Sequence, residues 1–169
     1  SDFRFGEVTL ATLALAGEGT LEKISFQGKT SGKVKDRFDL ESTGILHVTS
    51  KAQTLELKAF GAHYKDLPLK LRVPAVIHRS AMGYRLETLS LQVGGGQLDG
   101  SGRLENQTLT LNCDFKNLPL GDLPIARAPQ FTGTATGSLS LLGPIGRPQG
   151  SLNLSLDGLS LRDAKVSDL

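Results

Sequence analysis

The chain has 169 residues, with 30 leucines and 20 glycines but only 7 valines and 5 isoleucines. Its 19 basic and 17 acidic residues leave a net charge of +2, so the sequence offers no basic stripe for a nucleic-acid backbone. One cysteine excludes an internal disulfide, and the lack of tryptophan argues against stacking platforms for bases. A hydrophobic content of 38% argues against disorder and against a helical membrane protein.

In the first half of the chain, short runs of alternating apolar residues predict strands. Phe3 with Phe5, Val8 with Leu10 and Leu13 with Leu15 predict short strands around Gly6 and Ala11. Further candidates are residues 25–27, 37–41, 45–49 and 55–60. Segment 28–34 superficially suggests a phosphate loop, but its glycine spacing is one residue short and Val34 stands at the position of the metal-binding hydroxyl. A polar hairpin turn is therefore expected there.

From residue 67 onward, an apolar residue, most often leucine, recurs at every second position in four separate runs, 67–73, 89–93, 109–115 and 152–156. Residues two apart share one face of a strand, whereas on a helix they are separated by about 200°. Although leucine favours helices by propensity, this period predicts strands.

In two of the predicted strands, glycines occupy the same alternate positions as the apolar residues, and therefore the same face. Gly100 and Gly102 alternate with polar residues in 97–104, and Gly133 and Gly137 do so in 131–141. Glycine at such positions permits a bend or the close approach of another backbone, so these four are expected to let the sheet curl around its apolar face.

Turn signals divide the chain into an antiparallel meander of roughly ten to twelve strands. Gly94–Gly96, 105–107 and 143–148 separate consecutive strands, and Asp157-Gly158 predicts one more turn. The helical content is at most one short turn near 122–127. Two repeat-like units of glycine-rich strand, turn and leucine-alternating strand span about 84–123 and 131–169.

Three segments resemble a known family. Gly96 to Leu104 reads Gly-x-Leu-x-Gly-x-Gly-x-Leu, Asn117 to Leu120 reads Asn-Leu-Pro-Leu, and 141–152 reads Leu-x-Gly, then Arg-Pro-x-Gly-x-Leu. These patterns resemble the repeats of the AsmA-like superfamily and, within it, the C-terminal region (DUF490-type repeats) of the TamB family. TamB proteins are the inner-membrane subunits of the translocation and assembly module of diderm bacteria. The resemblance covers about residues 84–169.

The resemblance implies a β-taco, an elongated antiparallel sheet folded along its length around an apolar inner groove. Residues 1–169 would form one such segment, an internal fragment of a longer periplasmic protein anchored in the inner membrane. A TamA-like outer-membrane barrel is the implied partner, and membrane contact would be made only by parts absent from this fragment. The implied roles are outer-membrane and autotransporter protein assembly and phospholipid passage between the membranes.

No catalytic or metal-binding pattern is present in the sequence, and neither an enzyme nor a cofactor is expected. His47, His63 and His78 have no partner ligand at metal-binding spacing, so hydrogen-bonded or solvated histidines are expected. Cys113 shares the parity of Leu111 and Phe115, which predicts a buried, inert thiol.

The remaining candidate is the apolar surface itself. The expected groove wall consists of Leu89, Leu91, Leu109, Leu111, Phe115, Leu139, Leu141, Leu152, Leu154 and Leu156. It suits the acyl chains of phospholipid as cargo. Three alternatives stay open: a chaperone or scaffold that binds unfolded outer-membrane protein strands by β-augmentation, a structural spacer, and a closed β-sandwich whose leucine faces bury one another.

Overall fold

The computed structural model describes residues 3–5, 8–34, 36–121 and 131–161. Within these ranges the chain forms strands and turns and no helix. The strands are β1 (Phe3–Phe5), β2 (Val8–Gly19), β3 (Lys23–Val34), β4 (Asp36–Val48), β5 (Ala52–Tyr64), β6 (Leu67–Leu71), β7 (Ala75–Ser80), β8 (Gly83–Val93), β9 (Gly96–Glu105), β10 (Thr108–Pro119), β11 (Phe131–Pro144) and β12 (Gln149–Leu161). The all-β prediction is confirmed, whereas the helical turn expected near 122–127 lies outside the described residues.

All twelve strands belong to one sheet, and every pair of neighbours is antiparallel. Strands that are consecutive in the chain lie side by side from β1 to β6 and from β8 to β12. The predicted meander is therefore confirmed, and it includes the first eighty residues, for which the resemblance gave no guide.

One position in the sheet is shared by two strands. β6 pairs with the C-terminal half of β5, and β7 pairs with its N-terminal half. Both also pair with β8 on the other side. The break falls at 72–74, where Pro74 has no backbone N–H to donate to a ladder. The twelve strands consequently occupy eleven positions, which extend roughly 50 Å at about 4.8 Å per strand.

Most strands are longer than their sequence patterns indicated. The two expected strands at 37–41 and 45–49 are the single strand β4, which pairs with β3 without a shift in register, so Gly44 does not interrupt it. In β2 and β5, by contrast, the strand continues through a bulge, at Ala11 and at Lys58. A bulge adds one residue and exchanges the faces of the residues that follow. The predicted alternation therefore breaks without the strand ending.

Two predicted turns are wrong for related reasons. Segment 28–34 is the second half of β3 rather than a hairpin turn, and its glycines lie directly opposite residues of β4. Asp157-Gly158 does not end a strand either: β12 continues to Leu161 past a bulge at which Gly158 has a φ of 61°. At Asn117, with a φ of 51°, β10 bulges and continues in the same way.

The sheet is a single layer with little enclosed core. The accessible surface of the chain is 12209 Å², whereas a compact monomer of 18.0 kDa exposes about 8000 Å². Among the described residues, no large side chain is completely buried. A closed sandwich would bury the leucine faces against each other. The structure is therefore not the closed β-sandwich that the sequence left open.

Candidate functional site: one apolar face of the sheet

Strand register places nearly all the apolar side chains of the sheet on one face, which we call the apolar face. Side chains that are direct partners across a ladder point to the same side. The pairs Leu91–Leu98, Leu98–Phe115 and Leu111–Leu141 join β8, β9, β10 and β11 on that side. The opposite side, the polar face, carries mainly charged, hydroxyl and amide side chains.

All ten residues expected to form a groove wall lie on the apolar face. They occupy β8 (Leu89, Leu91), β10 (Leu109, Leu111, Phe115), β11 (Leu139, Leu141) and β12 (Leu152, Leu154, Leu156). Their partners form rows that cross the strands, such as Leu91, Leu98, Phe115, Gly137 and Leu154 in order. A ligand lying along a row would pass from strand to strand without leaving the apolar face.

The apolar face continues through the first half of the chain, which the groove prediction omitted. Its further members include Leu13, Leu15, Ile24, Phe26, Phe38, Leu40, Leu46, Leu55, Leu57, Phe60 and Leu69. The register from β6 to β8 joins the two halves through Leu69–Val93 and Leu71–Leu91. Each of these strands shows alternating apolar residues in the sequence. The bulges in β2 and β5, however, move the apolar residues from odd to even positions or the reverse, so the sequence did not show that the strands share one face.

The best-packed part of the apolar face lies near the turn between β8 and β9. Leu67, Val93 and Leu118 are buried there, and Leu98 and Phe115 pack against them. This cluster joins β6, β8, β9 and β10 across the middle of the sheet. It anchors the face by mutual packing of neighbouring strands rather than by a second layer.

Several glycines of the apolar face are covered by phenylalanine rings. Phe26 lies directly opposite Gly44, Phe38 opposite Gly32, and Phe115 opposite Gly137. A methyl group at Gly32 would lie 2.9 Å from Phe38 Cζ, and one at Gly137 would lie 3.0 Å from Phe115 Cζ. At each of these positions a backbone oxygen of the other neighbouring strand, in Thr9, Glu56 or Asn153, would lie closer still. These glycines therefore make room both for an aromatic ring and for the close approach of a strand, a role that the sequence pattern did not indicate.

The four glycines expected to bend the sheet have different surroundings. Gly100, Gly102 and Gly137 lie on the apolar face by register, and a methyl at Gly102 would make an ordinary contact of 3.4 Å with Leu111 Cδ1. Gly133 instead lies in the bulge opposite Asp157 and Gly158, with a φ of 118° that favours glycine.

Exposure of the apolar face is greatest at the two edges of the sheet. Leu13 and Leu15 in β2 are 72% and 75% exposed, and Leu154 in β12 is 51% exposed. The leucines of the central strands, such as Leu89 and Leu111, are half-buried. The face is thus partly sheltered in the middle and open at both ends.

Cys113 lies in the middle of this face, opposite Gly100 on one side and Leu139 on the other. It is half-buried rather than fully buried. Burial raises the pKa of its thiol above the ordinary value, and the nearby carboxylates of Asp114 and Asp99 act in the same direction. A thiol of raised pKa is a weak nucleophile at neutral pH.

The three histidines lie on the polar face. His78 Nδ1 is 3.0 Å from Thr54 Oγ1, and its Nε2 is 3.1 Å from Glu87 Oε1. His63 Nδ1 lies 3.2 Å from Asp39 Oδ2. Within the described residues, no three histidine, cysteine or carboxylate side chains are grouped so that they could hold a metal ion.

A hydrogen-bonded network on the polar face links the break between β6 and β7 to the neighbouring strands β8 and β9. Ser90, only 5% exposed, donates to Asp99 Oδ1 at 2.5 Å and accepts from Arg72 Nη1 at 3.1 Å. Gln97 donates to the other oxygen of Asp99. The hydrogen bond from Ser90 lowers the pKa of Asp99, as do the bond from Gln97 and the charge of Arg72.

Two shallow concavities lie mostly among polar-face residues. The larger, of about 790 Å³, surrounds the small residues Ala59 and Gly61 between the ion pair Lys29–Glu41 and the hydrogen-bonded pair His63–Asp39. The smaller, of about 480 Å³, lies between Arg85 and Arg103. Their charged side chains are exposed or paired, so neither offers a convergent set of groups for catalysis.

The described part of the chain includes no helix that is both long and apolar enough to cross a membrane. The chain matches no known family model, no curated protein and no solved structure. The fold and the site together define an all-β protein of one class: a single-layer antiparallel meander with one continuous apolar face.

Proposed function

We propose that this chain is a groove segment of a TamB-like envelope protein, located in the periplasm of a diderm bacterium as part of a protein anchored in the inner membrane. Its apolar face shields the acyl chains of phospholipids that move between the inner and outer membranes. It does so in support of outer-membrane protein assembly with a TamA-like barrel.

The observation that carries this proposal is the continuity of one apolar face that remains incompletely covered. Leucines of both sequence halves share that face, and several of them are half or more exposed: Leu13, Leu15, Leu152 and Leu154. Monomeric proteins rarely leave a large contiguous apolar surface without a ligand or partner. An apolar cargo is therefore a reasonable occupant.

The shape and chemistry of the face suit acyl chains in particular. Its side chains are mainly aliphatic and offer few hydrogen-bonding groups, so they do not fix a ligand in one place. Each buried methylene contributes about 0.8 kcal/mol, so an acyl chain can exchange one set of contacts for the next with little net change in free energy. Movement along the rows then requires no chemical step.

The proposal is tested by the phospholipid that co-purifies with folded variants, measured by mass spectrometry. Leu111→Arg and Leu154→Glu place a charge on the apolar face, and we expect both to lose bound phospholipid. Asn112→Arg and Asn153→Glu are the matched controls, because each neighbours the test residue in its strand and lies on the polar face. Circular dichroism verifies that all four variants fold.

A second readout uses the cysteine already present. Cys113 lies on the apolar face, so phospholipid vesicles should slow its alkylation in the unmodified chain. They should not slow alkylation of a cysteine placed at Asn112 in a Cys113→Ser background. Equal lipid recovery from Leu111→Arg and Asn112→Arg, or photo-crosslinkers at Leu111 that capture polypeptide strands instead of lipid, would contradict the proposal.

A further inference from the structure

One arginine, Arg79, lies on the apolar face. Its partners across the ladders are Gln53 in β5 and Tyr84 in β8, and Tyr84 continues the same row to Leu104 and Leu109. Direct partners across a ladder share one side of a sheet. Among the described residues that ladders place on the apolar face, Arg79 is the only one with a positive charge.

Two neutral side chains hold the guanidinium of Arg79. Its carbon lies 5.8 Å from the centre of the Tyr84 ring, within the range of a cation–π contact. Nη1 of Arg79 donates a hydrogen bond to Gln53 Oε1 at 3.3 Å. Arg79 forms no ion pair with any residue that the structure describes, and its side chain is exposed. The guanidinium is therefore oriented, while its charge and most of its N–H donors remain available to a ligand.

Arg79 lies at the margin of the apolar face, where the strands end. It is the last residue but one of β7, and the turn to β8 follows. The next row inward lies about 7 Å away along the strands. Its members are apolar or glycine: Leu55, Ile77, Leu86, Gly102, Leu111 and Leu141. A cation and an apolar row thus lie side by side on the same face.

We propose that Arg79 binds the phosphate of a phospholipid whose acyl chains lie on the neighbouring apolar rows, and that Gln53 and Tyr84 position its guanidinium. This inference rests on the function proposed above and names the residue that recognises the headgroup. The planar guanidinium matches phosphate oxygens with two parallel N–H bonds, which are stronger than bonds between neutral groups.

The position of the charge favours a cargo that is both apolar and anionic. An acyl chain that covers the margin of the face removes water from Arg79, and a charge that loses water without gaining a partner is costly. A purely apolar cargo would leave that cost uncompensated. A phospholipid supplies the acyl chains and the compensating negative charge in one molecule.

The proposal is tested with two lipids that have identical short acyl chains, phosphatidylglycerol and diacylglycerol, of which only the first carries a phosphate. NMR titrations are made below the concentration at which the lipids aggregate. The unmodified chain should bind phosphatidylglycerol about tenfold more tightly, as expected for charge-assisted hydrogen bonds. The resonances of the Arg79 guanidinium and of the Tyr84 ring should shift with phosphatidylglycerol and not with diacylglycerol. Inorganic phosphate, which makes no acyl contacts, should bind far more weakly.

Three variants separate recognition of the phosphate from a structural role of Arg79. Arg79→Gln should lose the preference for phosphatidylglycerol and bind diacylglycerol at least as tightly as the unmodified chain does. Arg85→Gln is the matched control, because it removes the same charge from the next strand, on the polar face beside His78. It should keep the full preference. Arg79→Lys retains the charge without the planar fork and should keep part of the preference.

The outcomes distinguish this inference from the function on which it rests. Equal binding of the two lipids by the unmodified chain, or the same loss of preference in Arg79→Gln and Arg85→Gln, would refute the role of Arg79 and leave acyl-chain binding intact. Binding of neither lipid would refute both proposals. Inorganic phosphate that binds as tightly as phosphatidylglycerol would show a simple anion site and would also refute headgroup recognition.

Discussion

Asp99 shows how one side chain can link pH to the stability of the sheet. The bonds from Ser90 and Gln97 favour its charged form, so its pKa in the folded chain lies below the ordinary value of 3.8. The unfolded chain therefore binds a proton at higher pH than the folded chain does. The contribution of charged Asp99 to the free energy of unfolding is complete above the pKa of the unfolded chain, and it is lost as pH falls through the lower pKa of the folded chain.

The resulting prediction concerns acid unfolding. The free energy of unfolding of the unmodified chain should decrease as pH is lowered below about 4, as measured by urea titration. Asp99→Asn should be less stable at neutral pH and should show a flatter decrease in acid. Ser90→Ala should behave in the same direction, because it removes the largest cause of the shift. An unchanged pH profile in both variants would refute the role of the network.

At the scale of strands, the atoms around each glycine determine whether it tolerates a side chain. Gly28 and Gly32 lie in the same strand and on the same face, four residues apart. A methyl at Gly32 would collide with the ring of Phe38 and with the backbone oxygen of Thr9. A methyl at Gly28 would make ordinary contacts of 3.4 and 3.6 Å.

We therefore predict opposite results for the two substitutions. Gly32→Ala should destabilise the chain by about 1–3 kcal/mol, as overpacking generally does. Gly28→Ala should be neutral or stabilising by up to about 1 kcal/mol, because alanine has less freedom than glycine in the unfolded chain. Urea midpoints of the two variants, measured side by side, decide the question, and equal destabilisation by both would show that the loss of glycine itself, not the contacts around Gly32, determines the effect.

The uninterrupted parts of strands could be predicted from the sequence, whereas the continuation of a strand through a bulge or past a glycine could not. β9 follows its pattern throughout, and β10 was predicted only as far as Phe115, because it bulges at Asn117. β4 was divided at Gly44 and β12 at Gly158, since both residues have the sequence signature of a turn. β7 was not recognised, because its apolar residues Ala75 and Ile77 form too short a run.

The candidate site could likewise be predicted only in part. The ten leucine and phenylalanine positions expected to form one wall do share a face, because in each strand they lie on one side of the bulge, within an uninterrupted part of the ladder. The extension of that face through β2 to β5 depends on which strand pairs with which. Local periodicity does not specify pairing, so only the register of the whole sheet reveals it.

At the scale of the whole molecule, stability should decrease from the middle of the sheet towards its edges. The buried cluster of Leu67, Val93 and Leu118 lies centrally, whereas β12 and most of β2 are exposed. We expect amide hydrogen exchange to be slowest in β6, β8 and β9 and fastest in β12. Uniform protection across all strands would indicate a single cooperative unit instead.

Within the described residues, each strand from β9 onward pairs only with its neighbours in the chain, so this part of the sheet is built from consecutive hairpins. Adding or removing one hairpin would change its span by about 10 Å while preserving strand direction and the side on which leucine lies. Evolution or engineering could thus adjust the reach of such a molecule by whole hairpins, without redesigning a shared interior.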